Sequence, residues 1–440
     1  MNEVNPLAIE LNETIRENAP ALYASLSALG RELYFPRGIL SQAAEAKKNA
    51  HRHNATIGIA TTGGKPLHLP SLMRFFHEMD AWEAFPYAPA TGLPELRGLW
   101  REHQLEINPG LKDKSFSMPV VTSGLTHGLS ICADLFCDAG DVLLLPDKIW
   151  GNYRMIYETR RGADIRQYPL FQSGGGMDTW AFRDTLFSCI ERPKILVILN
   201  YPNNPTGYAP TPKEAEDVAA ALMETAQAGG NIVAVVDDAY FGLVYEEGAF
   251  KESLFSLIAD AHPNLTAVKL DGPTKEDYVW GFRVGLVTFS CAGGGDQDGV
   301  YQALEKKVGG LIRGTISNCS MPAQSLLIKA MKSTGYRQEK EEIYRLLRDR
   351  YREVKRVVYK ERYVPAFEPY PFNSGYFMCV AIKGVDAETL RRHLLNEYGV
   401  GTISLGDTDL RVAFSCLERE QVEDLFDILY TAVDDLRRDK

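Results

Sequence analysis

The sequence predicts an α/β protein: a large domain with a mainly parallel sheet covered by helices on both faces, plus a smaller α+β domain. Three observations predict it. Six short apolar runs between residues 119 and 289 alternate with helix-patterned stretches, and strand–helix–strand alternation marks a parallel sheet. Several of these runs are apolar on both faces, as strands are when helices cover both sides. After about residue 320 the rhythm changes to long charged helices with few strands.

The predicted strands are Pro119–Thr122, Val142–Pro146, Ile195–Asn200, Ile232–Asp237, Ala267–Asp271 and Val284–Phe289. Between them, Thr126–Phe136 reads as a helix, as does Lys213–Gln227 with Ala219, Ala220, Leu222 and Met223 on its apolar side. Met321–Tyr359 is long, charged and helix-patterned, and it connects the large domain to the smaller one. The smaller one reads as helix Ala387–Glu397, strand Leu410–Phe414 and helix Gln421–Leu436. The predicted division is 1–60 as an N-terminal segment packing with the small domain, 61–320 as the large domain and 321–440 as the small domain. Ligands of such sheets sit at the carboxyl ends of the strands, so chemistry is sought just after each run.

Composition narrows the function classes. With 45% hydrophobic residues in 440, the chain can bury a sizeable core. A net charge of −10 argues against a nucleic-acid partner, although a local basic pocket is still allowed. No apolar run approaches the roughly 20 residues that span a bilayer, so no membrane association is expected. The acids near the N-terminus do not read as a secretory signal. Seven widely spaced cysteines without a C-x-x-C pattern read as reduced thiols of a cytoplasmic protein, with neither disulfides nor structural zinc.

Several motifs carry no function. The Gly174–Gly176 and Gly293–Gly295 stretches have loop composition, and no G-x-G-x-x-G follows a strand. Gly63-Gly64-Lys65-Pro66 lacks the first Gly and the Ser/Thr of a phosphate loop. His77-Glu78 has no second His at zinc-binding spacing. His51 and His53 read as ordinary polar residues, so no metal is expected.

Five signals remain, four of them where a strand should end. Thr122-Ser-Gly-Leu-Thr-His-Gly128 is a small-residue turn into a helix, either an ordinary turn or an anion seat of free N–H groups. Asn200-Tyr-Pro-Asn-Asn-Pro-Thr-Gly207 is a rigid loop that would hold the Asn204 amide. Asp237-Asp-Ala-Tyr240 puts a carboxylate at a buried strand end, which needs a cation unless it caps the next element. Lys275 follows a strand and Arg283 lies eight residues on. A lysine beside cationic groups becomes a usable nucleophile, and an arginine can bind phosphate bidentately. Arg411, in the apolar strand Leu410–Phe414, is expected to face a carboxylate. Together these are the parts that pyridoxal phosphate needs: amides and an arginine for its phosphate, a carboxylate for its ring nitrogen, a lysine for its aldehyde.

On these motifs the chain resembles the fold-type I pyridoxal-phosphate enzymes, and more closely the class I/II, aspartate-aminotransferase-like family, from about Ile57 to Phe414. The resemblance implies an enzyme, an aminotransferase working between an L-amino acid and a 2-oxo acid by a ping-pong route. It implies that Lys275 forms the Schiff base and then shuttles a proton between Cα and the cofactor. It implies that Asp237 pairs with the ring nitrogen, and that Tyr240 and Asn204 bond the ring oxygen. Gly124, Leu125, Thr126 and Arg283 would hold the phosphate, and Trp150 would stack on the ring. Tyr87 would reach the phosphate from the partner subunit of a homodimer with shared sites. Arg411, with Gly58 and Asn204 nearby, would bind the substrate carboxylate.

Two departures stand out. Gly272 occupies the place of a hydroxyl donor to the phosphate, which Thr274 could replace. The spacing leading to Trp150 is longer than the family's. Arg313, in Arg313-Gly-Thr-Ile-Ser-Asn318, resembles the arginine that takes a distal carboxylate in the aspartate branch, which would favour aspartate, glutamate or 2-oxoglutarate; a solvated or phosphate-side Arg313 is the other reading. The competing reactions on the same site are a C–S β-lyase and a decarboxylase.

Overall fold

The computed structural model describes residues 4–36 and 38–438. Its centre is a seven-stranded sheet: β1 (Val120–Thr122), β2 (Val142–Pro146), β3 (Asp164–Tyr168), β4 (Ile195–Asn200), β5 (Ile232–Asp237), β6 (Leu265–Asp271) and β7 (Gly285–Ser290). The spatial order is β1-β7-β6-β5-β4-β2-β3. The five strands from β6 to β3 pair in parallel, while β7 runs antiparallel to both β6 and β1. The strand alternation explains why helices cover both faces. Leu144, Val197 and Ala234 point to one side and pack with Val218 and Leu222 of the helix Pro212–Gln227. Leu143, Ile198 and Val235 point to the other and pack with Leu129 of the helix Leu125–Phe136 and Ile312 of the helix Gln297–Thr315.

These helices are labelled in chain order with the others that matter: α1 (Pro94–Ile107), α2 (Leu125–Phe136), α3 (Pro212–Gln227), α4 (Gln297–Thr315), α5 (Met321–Lys332), α6 (Tyr336–Val358), α7 (Ala387–Tyr398) and α8 (Val422–Arg438). Local chemistry sets their starts. Thr211 caps α3, its hydroxyl accepting from Glu214 N while Glu214 accepts from Thr211 N, and Pro212 follows at the first helical position.

A second, antiparallel sheet holds β8 (Phe367–Pro369), β9 (Phe377–Ile382), β10 (Ile403–Leu405) and β11 (Asp409–Ala413), in the order β8-β9-β11-β10. The helix Ile39–Asn49 reaches this region. Gln42 Nε2 donates to Ser404 Oγ at 2.9 Å, and Glu45 pairs with Arg391 of α7 at 2.9 Å. His53–Asn54 pairs in parallel with Val400–Gly401.

The strands and helices that were expected hold to within a few residues, with corrections. β3 was not expected, and neither were α1 or the strands β8, β9 and β10. The long helix is two, α5 and α6, broken at Ser333-Thr334-Gly335. The helix α4 also went unread. Ala220 is exposed; α3 buries Leu222 as expected, together with Ala215, Val218 and Ala221. Gly63 and Gly64 form the turn of a short hairpin, with positive φ at both. No helix among the described residues is long and apolar enough to cross a membrane.

Candidate active site

A cavity of about 370 Å³ opens where β4, β5 and β6 end and where β9 and β11 of the second sheet approach. Ten of the thirteen expected residues line it: Gly58, Leu125, Thr126, Trp150, Asn204, Asp237, Tyr240, Lys275, Arg283 and Arg411. Each arrives on its own element. Asp237 is the last residue of β5, Asn204 sits in the loop after β4, Lys275 in the short helix Pro273–Glu276 after β6, and Arg411 in β11.

Lys275 lies with its amine 4.9 Å from the centre of the Tyr240 ring. Burial lowers its proton affinity from the ordinary 10.5 to about 8; Arg283 adds to the effect and Asp237 opposes it. Asp237 is 2% exposed. Burial raises its pKa, offset by the Tyr153 hydroxyl, the Lys275 charge and the Ala239 N–H. Tyr153 Oη donates to Oδ2 at 2.6 Å and Ala239 N donates to Oδ1 at 3.1 Å. Each carboxylate oxygen therefore keeps acceptor capacity for one more donor.

Beneath this pair lies a buried ionic cluster. Lys269, fully buried in β6, pairs with Asp238 and with Asp271 at 3.5 Å. Ser253 Oγ donates to Asp238 at 2.6 Å, and Gln104 donates to both Asp271 oxygens. Burial lifts the Asp238 pKa to about 6, against the pull of Lys269. The cluster ties β6 to the strand end that carries Asp237.

At the other end of the cavity, backbones crowd. A Cβ on Gly285 would lie 2.7 Å from Gly124 C and 2.8 Å from Leu125 N. The first turn of α2 thus presents its free N–H groups beside the Arg283 guanidinium. Arg283 has a left-handed φ of 54°, and Tyr278 in the same loop has 58°. Such backbone strain concentrates at functional sites. Gly272 cannot gain a side chain cheaply, because its Cβ would meet Gly285 Cα at 2.9 Å. Thr274 donates its hydroxyl proton to Val284 O at 3.1 Å, so it does not take over the missing donor role in this arrangement.

Arg411 is 2% exposed and stacks over the Phe377 ring at 4.1 Å. Its Nη1 donates to Asn204 Oδ1 at 3.2 Å and its Nη2 to Thr56 O at 3.2 Å, while Nε has no partner. No carboxylate among the described residues faces it, so the expected carboxylate is not one of the chain's own described residues. A buried guanidinium without a counter-ion is a seat for an anion. Because Arg411 takes the Asn204 carbonyl oxygen, the Asn204 NH2 remains free to donate.

Three expected residues lie outside this chain's cavity. Gly124 is directly behind it, against Arg283. Tyr87 is 88% exposed. Arg313, near the end of α4, is exposed and donates to Ser317 Oγ at 2.6 Å. Residues not foreseen are Tyr153, Trp280, the pair Ile39–Leu40 at the wall, and Asn200, whose Oδ1 accepts from Asn204 N and whose Nδ2 donates to Asp237 O. Tyr153 stands three residues after Trp150 in the same Trp-Gly-Asn-Tyr string, the signal that could have found it.

The residues fit pyridoxal phosphate. An amine held near neutrality, a buried acid with free acceptor capacity and an amide-and-arginine cradle match its aldehyde, ring nitrogen and phosphate. A sheet of this order with these groups at its strand ends defines a fold-type I pyridoxal-phosphate protein. The chain belongs to the aminotransferase class I and II family, whose model matches residues 61–429. It is 27% identical over 252 residues to a probable aspartate/prephenate aminotransferase of Aquifex aeolicus, covering 56% of each chain. It thus spans about half the length of the curated relatives it matches. Among solved structures, an aminotransferase of Anaerococcus prevotii superposes with a TM-score of 0.80 at 22% identity, covering 91% of this chain and 97% of that one. A Pyrococcus horikoshii kynurenine aminotransferase, solved with PMP, superposes with a TM-score of 0.77 at 15% identity, covering 94% and 98%.

Proposed function

We propose that the protein is a pyridoxal-phosphate-dependent aminotransferase that moves an amino group between an L-amino acid and a 2-oxo acid in alternating half-reactions. The observation that carries this is Arg411: a buried guanidinium with an unpartnered Nε, in the same cavity as Lys275 and Asp237. The bound cofactor supplies an aldehyde for lysine and a ring that withdraws charge from the amino acid Cα. Arg411 and the backbone around Gly58 hold the substrate carboxylate and so orient Cα toward Lys275. Lys275 Nζ, with its affinity near pH 8, takes the Cα proton and returns it. Asp237 would hold a proton at the ring nitrogen, Tyr240 and the Asn204 amide would donate to the ring oxygen, and Trp150 would stack on the ring. Gly124, Leu125, Thr126 and Arg283 would anchor the phosphate.

The active unit in this reading is a homodimer with shared sites. Its support is that Tyr87 and Arg313 are exposed and outside this chain's cavity. Arg313 of a partner would then favour a dicarboxylate substrate, a reading supported by similarity to proteins named aspartate aminotransferase. Seven free cysteines fit a cytoplasmic setting.

A panel of amino donors and 2-oxo acid acceptors on the reconstituted protein tests the reading. Amino transfer that requires an acceptor, with parallel double-reciprocal lines, is expected. Release of ammonia and pyruvate without an acceptor would establish a lyase instead. Aspartate activity unaltered in Arg313→Ala would exclude the dicarboxylate assignment.

A further inference from the structure

We propose that Tyr153 is the positioning residue for Asp237: its phenol proton holds Oδ2 in place and keeps the carboxylate charged toward the cofactor ring. The inference rests on the functional reading above and concerns a residue that the family's motifs do not mark in this chain. Tyr153 is 2% exposed, and its hydroxyl is 2.6 Å from Oδ2. No other side chain among the described residues donates to the Asp237 carboxylate: Asn200 Nδ2 reaches only the backbone carbonyl, and Ala239 N serves Oδ1. A carboxylate sealed at a strand end would otherwise take up a proton and lose its use as a counter-ion.

The placement of the ring is specific. Tyr153 immediately precedes a π-helical turn, Arg154–Thr159. Such wide turns cluster at functional sites, and this one follows the stretch whose spacing departs from the family. The ring packs edge-on against Trp150, with centroids 5.6 Å apart at 90°. A single segment therefore supplies both a cavity wall and the donor to the acid. Burial and the neighbouring Asp237 charge push the phenol pKa well above 10, so the phenol is the donor in this bond.

The prediction has a sign. With Tyr153 removed, Asp237 holds a ring-nitrogen proton less well. A less positive ring repels a proton on the lysine-linked nitrogen less, so that nitrogen keeps its proton to higher pH. The test compares wild type, Tyr153→Phe and Tyr153→His as full-length protein reconstituted with pyridoxal phosphate. Readouts are cofactor Kd and the pH midpoint of the bound cofactor's visible absorption, neither of which needs turnover. Tyr153→Phe, which keeps the ring and its packing, should raise Kd roughly 10-fold to 100-fold, the range for losing a hydrogen bond to a charged group. It should also move the midpoint up. Tyr153→His, which retains a ring donor, should recover most of both, and in an Asp237→Asn background Tyr153→Phe should change neither. A Tyr153→Phe protein that matches wild type in Kd and midpoint overturns the inference while leaving the functional reading intact. So does a Tyr153→His protein with a wild-type melting temperature that recovers neither value. A wild type that binds no pyridoxal phosphate overturns the functional reading itself, and the inference with it.

Discussion

Gly124 and Arg283 share one space: a Cβ on Gly124 would lie 2.4 Å from Arg283 Nη2. Gly124 also has a φ of 76°, where an L side chain is strained. Gly124→Ala should therefore displace the guanidinium as well as strain the turn. The expected outcome is a stability loss of about 1 kcal/mol and at least a 10-fold rise in cofactor Kd, the scale of one weakened charge-assisted contact. Denaturant unfolding of the apoprotein and cofactor titration measure the two effects separately.

Arg411 should show a trade of stability for function. Its charge is buried with no carboxylate partner among the described residues, and burial lowers its pKa. Arg411→Met should make the substrate-free protein more resistant to heat, since it removes an uncompensated buried charge. The same variant should lose at least 100-fold in kcat/KM for amino acids, as a bidentate carboxylate contact disappears. Calorimetry and steady-state kinetics check the pair of outcomes.

Lys275 carries a pH signature in the cofactor-free protein. Its affinity falls from 10.5 unfolded to about 8 folded. Between those values the unfolded chain binds more protons than the folded one, so this group makes stability rise with pH from about 8 to 10.5. Below pH 8 the folded protein bears the full cost of a desolvated ammonium. Lys275→Met should then be more stable than wild type by about 3 kcal/mol near pH 7, and the gap should close as pH approaches 10.5. Urea unfolding across that range reads it directly.

The buried Lys269 supports the site from below. Lys269→Met leaves Asp238 and Asp271 facing each other without their cation. The expected cost is about 3–5 kcal/mol, the usual penalty for breaking a buried pair, seen as a large drop in melting temperature. Replacing Asp238 by Asn at the same time should recover part of it.

The legibility of the sequence follows burial. Strands β4 and β5 lie at the sheet centre and are buried at every residue, so their Val, Ile and Leu runs stand out. β3 is an edge strand reading Asp-Ile-Arg-Gln-Tyr with two exposed residues, and it has no apolar run to find. Four glycines, at 299, 309, 310 and 314, hide the periodicity of α4. Lys275 and Asp237 were readable because each ends or follows a buried strand within a motif. Tyr153 was not, since a lone tyrosine near a Trp looks like core until its hydroxyl is seen at Asp237. Arg411 was readable because a charge in an apolar strand implies a partner; which carboxylate it faces was not readable from the strand alone.

Borohydride reduction of the reconstituted protein, followed by peptide mapping, tests the central claim most directly. A yellow holoprotein that bleaches and carries a single phosphopyridoxyl group on the peptide containing Lys275 is the predicted result. A colourless protein, or a modification on any lysine other than Lys275, would contradict it.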